Sequence, residues 1–210
     1  MTDSAPTARR PGVILDRDGT LIDVVRDEET GTVSVAFHPD HLRFLPGVLE
    51  GLTLLSTAGY GLAIATNQPG PAKGQISALA VERTNQALLA LLAGHGIEVA
   101  ALEVCMHHPS GGPGGDARWV GECACRKPKP GLLLDCIERA RFDVTRTWMI
   151  GDSASDVEAA HAAQVRSALV FPLDRCELCP IRSGPSASAS PRPDLVAARF
   201  DDLVKAIIAS

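Results

Sequence analysis

With 210 residues, 45% of them hydrophobic and 21% charged, the chain has the length and balance of a folded domain with a sizeable core, not of a disordered segment. A formal net charge of -5 argues against a nucleic-acid-binding surface and leaves room only for a local basic pocket. No apolar run reaches the ~20 residues that span a bilayer, and MTDSAPTARRPG runs into VILD without a long apolar segment, so neither membrane insertion nor secretion is expected and the protein is placed in the cytoplasm.

The elements alternate short β-rich runs with helical patterns, the signature of an α/β fold with a largely parallel sheet. GVILD (12–16) reads as a buried strand and is followed by a polar flap or hairpin, DVVRDEETGTVS. Val48, Leu49, Leu52 and Leu55 recur at helical spacing after Pro46-Gly47. YGLAIAT (60–66) is the second strand, 75–93 a helix closed by Gly94, and LEVCM (102–106) the third strand. A glycine-rich loop from Ser110 to Gly121, a helix over 131–140 and a strand TWMIGD (147–152) come next. A helix over about 154–163, a fifth strand SALVF (167–171) and a last helix over 200–209 complete the pattern. The run SGPSASASPRP (183–193) is low-complexity and belongs to a flexible segment over about 172–194. One domain over 1–210, with its core at about 12–171, accounts for all of these.

Two aspartates, Asp16 and Asp18, stand at and just beyond the end of the first strand, and Asp152 ends the fourth. In open α/β sheets this carboxyl edge is where ligands bind, and three carboxylates there suit a hard divalent cation such as Mg²⁺. A metal-screened carboxylate can attack phosphorus while a second carboxyl group protonates the leaving oxygen. Thr66 and Asn67 end the second strand and offer a hydroxyl and an amide, and Arg126 and Lys127 precede the 131–140 helix as fixed positive charge. Taken singly, each is as readily a strand-end cap or a solvated charge. Their order, one per strand end, fits phosphoryl transfer.

Of the six cysteines, Cys105, Cys123 and Cys125 combine with His107 in the pattern C-x-H-x15-C-x-C around the glycine-rich loop, with His108 as the neighbouring alternative. Three sulfurs and an imidazole suit a tetrahedral structural Zn²⁺. Cys176-x-x-Cys179 reads as plain thiols in a loop, with a disulfide or a second metal as the alternatives, Cys136 as core, Trp119 as a loop anchor or substrate contact, and His38 and His41 as solvated. Asp156 serves as helix cap or as outer support for the metal.

Asp16-x-Asp18-Gly-Thr, Thr66-Asn67, Lys127 and Gly151-Asp152-x-x-x-Asp156 resemble the four motifs of the haloacid dehalogenase (HAD) superfamily over roughly residues 12–171. The resemblance implies a Rossmann-like parallel sheet flanked by helices. It assigns Asp16 as the phosphorylated nucleophile, Asp18 as acid/base, Thr66 to phosphate and Lys127 to charge stabilisation. Mg²⁺ would be held by Asp16, the Asp18 backbone carbonyl and Asp152.

CMHHP and CACRKPKPGLL resemble the subgroup that lacks a large cap domain and carries a zinc loop, the heptose bisphosphate and histidinol-phosphate phosphatases, the former more closely. That resemblance gives zinc to Cys105, His107, Cys123 and Cys125, and substrate phosphate to Arg126, with Asn67 also facing substrate. Its implied partner is a small sugar bisphosphate bound by a monomer; histidinol phosphate is the alternative substrate. Ser153 departs from the lysine common in the heptose enzymes at that position. A non-enzymatic phospho-accepting scaffold is the rival class, and Asp18 with its Gly-Thr argues against it by supplying an acid/base.

Overall fold

The computed structural model describes residues 9–26, 29, 31, 33–171 and 191–210. Six strands, β1 (Arg10–Leu15), β4 (Gly61–Asn67), β5 (Ala101–Cys105), β6 (Phe142–Gly151), β7 (Arg166–Val170) and β8 (Leu195–Ala197), form one sheet in the order β5-β4-β1-β6-β7-β8. Every neighbouring pair is parallel. The chain builds outward from β1 to β4 and β5, then returns to the other side of β1 with β6. The carboxyl ends of β1 and β6 therefore flank the point where the order reverses, the site at which such sheets leave a crevice.

Side-chain alternation along the strands divides the core in two. Val13, Leu15, Leu62, Ile64, Trp148 and Ile150 face one side, packed by Leu52 and Leu55 of α1 (Val48–Thr57), Leu88 and Leu92 of α2 (Ala78–Gly94) and Phe200, Leu203, Val204 and Ile207 of α5 (Phe200–Ile208). Ile14, Ala63, Ala65 and Met149 face the other, under Leu132, Leu133, Cys136 and Ile137 of α3 (Gly131–Ala140) and Ala159 and Ala160 of α4 (Ala154–Ala162). Burial on both faces is what a parallel sheet requires and explains why its strands read as continuous apolar runs. Each fully buried leucine or isoleucine contributes about 1.5–3 kcal/mol. Cys136 lies wholly within this second layer, as its place on the helix predicts.

The expected polar hairpin is present as β2 (Val25–Arg26) paired antiparallel with β3 (Val33–Ser34). Several boundaries move. The long helix begins at Ala78, three residues later than expected, because Ser77 caps it by accepting from the Ala80 N–H at 3.1 Å. The fourth long strand starts at Phe142 instead of 147; its first half is polar and carries little apolar signal. β8 is a strand the sequence does not announce. It follows Asp194, whose carboxylate accepts from Ser167 N–H at 2.7 Å and Ser167 Oγ at 3.0 Å, so the expected flexible segment ends in an anchored residue. The rest of that segment, 172–190, with Cys176 and Cys179, lies outside the described residues. Among the described residues no helix is long and apolar enough to cross a membrane.

Candidate active site

Strand alternation aims the residues of the first motif in different directions. Asp16 continues the face of Ile14 towards the α3 side, where Lys127 stands just before that helix. Its Oδ1 lies 2.6 Å from Lys127 Nζ, which also donates to the Ala65 carbonyl at 2.8 Å and lies 2.6 Å from Asp156 Oδ1. Lys127 is held from behind as well: the Asn67 side chain accepts from its N–H and donates to its carbonyl, both at 3.1 Å. Asn67 thus lines the cleft with its amide committed to fixing the lysine.

The oxygens of Asp16, Asp152 and Asp156 lie within 4.8 Å of one another. Burial pushes the Asp16 carboxyl up to about 7, with Lys127 opposing. Burial, then the charges of Asp16 and Asp156, pushes Asp152 up to about 8. Burial works against the Lys127 ammonium, but Asp156 and Asp16 outweigh it and raise its pKa above the ordinary lysine value. Three carboxylates, Asp16 and Asp156 buried and Asp152 half-buried, against one ammonium leave an excess of negative charge, so the donor set fits a hard divalent cation.

Two glycines make this proximity achievable. Gly19 has φ +87°, and a Cβ there would run into the Asp152 carboxylate. At Gly151 a Cβ would collide with Asp156. Asp156 in turn caps α4 by accepting from Ser153 N–H at 3.1 Å and from the Ser153 hydroxyl. Ser153, where a lysine was expected by resemblance, is therefore the capping partner of a residue that pairs with Lys127.

The cleft is lined by Asp16, Asp18, Val35, Thr66, Asn67, Lys127, Ser153, Ser155 and Asp156 and has a volume of about 140 Å³. That is below the ~300–1,000 Å³ of pockets that enclose a whole small molecule, and it suits a phosphoryl group with the rest of its carrier outside. The Asp18 carboxylate is not part of the acidic trio; it turns to Arg17 and Gln68. Both of these polar side chains escaped the sequence reading, although Gln68 closes the TNQ segment and Arg17 stands between the two aspartates.

Cys105, His107, Cys123 and Cys125 converge at the end of β5. Cys105 Sγ lies 3.1 Å from Cys125 Sγ, 3.7 Å from Cys123 Sγ and 3.8 Å from His107 Nδ1, which is 3.5 Å from Cys125 Sγ. Zn–S bonds of about 2.3 Å give tetrahedral S–S edges near ~3.8 Å, so the set fits zinc. Burial raises the Cys105 and Cys125 thiols, a cost a bound cation reverses. At Cys123 burial is outweighed by donors that include the Arg126 N–H, and its pKa is lowered. His107, not His108, joins the cluster; the His108 ring contacts Ser110 at 3.5 Å. Trp119 meets the His107 ring edge-on with centroids 5.2 Å apart, so it anchors the loop. Arg126 donates to the His107 carbonyl at 3.3 Å and does not line the cleft. His38 is exposed and caps a single 3-10 turn, and His41 packs on Phe37.

The parallel sheet with an acidic cluster at its order reversal defines a HAD-like hydrolase, and the HAD-hydrolase-like family model matches residues 124–172. The D-glycero-β-D-manno-heptose-1,7-bisphosphate 7-phosphatase of Rhodopseudomonas palustris is 41% identical over 165 residues, 79% of this chain and 84% of that protein. The enzyme of the same name from Pseudomonas aeruginosa is 36% identical over 158 residues, 75% and 79% of the two chains. The crystal structure of D,D-heptose 1,7-bisphosphate phosphatase from B. bronchiseptica, complexed with magnesium and phosphate, superposes with a TM-score of 0.70 at 27% identity, covering 94% of this chain and 98% of that one. The chain belongs to the heptose-bisphosphate 7-phosphatase family of HAD-like phosphoric monoester hydrolases.

Proposed function

We propose that the protein removes the 7-phosphate of D-glycero-β-D-manno-heptose 1,7-bisphosphate in the cytoplasm, acting as a monomer. Membership of the family whose relatives carry that activity in their names is the observation that carries the substrate. The buried pair of Lys127 and Asp16 lining a phosphoryl-sized cleft supports the chemistry. Asp16 is the nucleophile, and its carboxylate oxygen attacks phosphorus. Lys127 neutralises charge on Asp16 and on the transferring group, and Thr66 donates to an oxygen of the phosphoryl group once it is on Asp16. Asp18 gives a proton to the leaving oxygen and then takes one from the attacking water.

Asp16, Asp152 and the Asp18 carbonyl would hold Mg²⁺, which supplies charge stabilisation for the phosphoryl oxygens. Cys105, His107, Cys123 and Cys125 would hold Zn²⁺. Bound there, it would stiffen a glycine-rich loop and hold Arg126 for the part of the sugar bisphosphate that remains outside the cleft.

Phosphate release from both anomers of the heptose 1,7-bisphosphate and from histidinol phosphate, with and without Mg²⁺, tests this. Mg²⁺-dependent turnover of the β-anomer well above the other two is expected. Turnover of histidinol phosphate alone would discard the substrate while keeping the mechanism.

A further inference from the structure

Asp16 and Asp18 differ in where their lone pairs go. Asp18 Oδ1 accepts from Arg17 Nη2 at 3.2 Å and from the Ala36 N–H at 2.9 Å. Its Oδ2 accepts from Arg17 Nε at 2.9 Å and from Gln68 Nε2 at 2.7 Å. A carboxylate offers about four lone-pair sites, and four donors fill them here. Arg17 is fully buried, and its other contacts, the Ala36 carbonyl and Asn85 Oδ1, both lie at 2.6 Å. It is an anchor tied at once to the stem of the flap and to α2.

An acid/base must alternate between carboxylate and carboxylic acid, and this inference rests on that proposed role of Asp18. The acid form carries an O–H that needs an acceptor while it waits for the leaving group. Three of the four partners, two guanidinium N–H groups and a backbone N–H, can only donate. Gln68 is the exception, because its amide has a donor face and an acceptor face. Its Nε2 also bonds Thr66 Oγ1 at 2.8 Å, and a hydroxyl can either donate or accept. Half a turn of the amide presents Oε1 to both neighbours. Thr66 then donates where it accepted, and the Asp18 O–H finds an acceptor. Gln68 is buried, so no water competes for the place.

We propose that Gln68 is a positioning residue that supports Asp18 in both protonation states by turning its amide, against the fixed anchor of Arg17. In the first half-reaction an Asp16 oxygen bonds to phosphorus, the P–O ester bond breaks, and the Asp18 proton goes to the leaving oxygen. Asp18 is left as the carboxylate with four donors. In the second half, water oxygen bonds to phosphorus and the bond from phosphorus to Asp16 breaks. The water proton returns to Asp18, and Gln68 presents Oε1.

The test is leaving-group release in a single turnover with enzyme in excess, which isolates the first half-reaction. Heptose 1,7-bisphosphate, whose alkoxide needs a proton, is compared with p-nitrophenyl phosphate, whose phenolate leaves without one. Asp18→Asn is the reference: it should slow the sugar reaction ~10²-fold or more and the phenolate reaction far less. Gln68→Leu should slow sugar release about tenfold and leave p-nitrophenol release within about threefold. The retained burst then reports an intact fold, and Gln68→Met replaces the leucine variant should that one melt early. Equal losses on both substrates for the Gln68 variants, or none, with Asp18→Asn still selective, overturn the inference and spare the acid/base role. An unselective Asp18→Asn removes the role and the inference together.

Discussion

The two clusters able to hold a metal among the described residues sit at the same edge of the sheet and use opposite chemistry. At the ends of β1 and β6 the donors are hard oxygens, mostly buried and mutually repelling, with one lysine between two of the carboxylates. At the end of β5 they are soft sulfurs and an imidazole, nearly closed into a tetrahedron, with a backbone N–H already bonded to one sulfur. A closed four-ligand site has no free position and serves structure. The carboxylate site keeps oxygens of Asp16 and Asp156 open to a cleft, as a reacting site requires. What joins them is Arg126-Lys127, which leaves the sulfur cluster one residue after Cys125 and delivers an ammonium to Asp16.

That contrast makes distinct substitutions tell differently on turnover, metal content and stability. Asp16→Asn should cut Mg²⁺-dependent phosphate release by at least ~10³-fold, as expected for a nucleophile, with zinc content unchanged. Retained turnover would make Asp16 a mere ligand. Cys125→Ser should lose the zinc, read by metal analysis, and drop the melting temperature by roughly 10 °C, because metal binding supplies loop order. Activity should fall with it, since Lys127 follows that loop; full activity without zinc would uncouple the two clusters.

Metal-free protein should lose stability as pH rises. Asp16 and Asp152 have folded-state pKa values raised from 3.8 to about 7 and about 8. A raised carboxyl pKa means that the folded form binds more protons than the unfolded one. Its contribution is therefore present at low pH and lost progressively from about pH 4 through pH 8. Melting curves across that range should slope downward, and Asp152→Asn should flatten them. Mg²⁺ at 100-fold over its dissociation constant should add about 2.7 kcal/mol to the wild type only. A slope untouched by Asp152→Asn would remove the repulsion from the account. Smallest of all, Ser153→Ala removes a donor from Asp156 and should cost about 1 kcal/mol, a few degrees in melting temperature. A larger loss of kcat than of stability would place Ser153 in the reaction.

Much of this was legible from the chain because short-range patterns carry it. VILD and WMIG are apolar enough to be buried strands, each ended by an aspartate, and CxH with CxC names its own chemistry. The hairpin after β1 was visible in its polar composition. The first half of β6 and the three residues of β8 were not, because their pairing is decided by neighbours and not by hydrophobic period. Arg17 was hidden in plain view. It pairs with Asp18, and the alternation of β1 carries it to the α2 side, opposite Asp16, where Asn85 and Ala36 close around it. Asn67 was read for its amide and proved to hold Lys127 in place.

The sequence alone determined which chemical groups are available and at which strand ends they sit, since periodicity and turn residues act over a few positions. Only the tertiary structure decided which of those groups meet. Lys127 reaches Asp16 across 111 residues, and Gln68 reaches Asp18 across 50. Contacts at such separations follow from strand order and helix packing, which no local run of residues encodes.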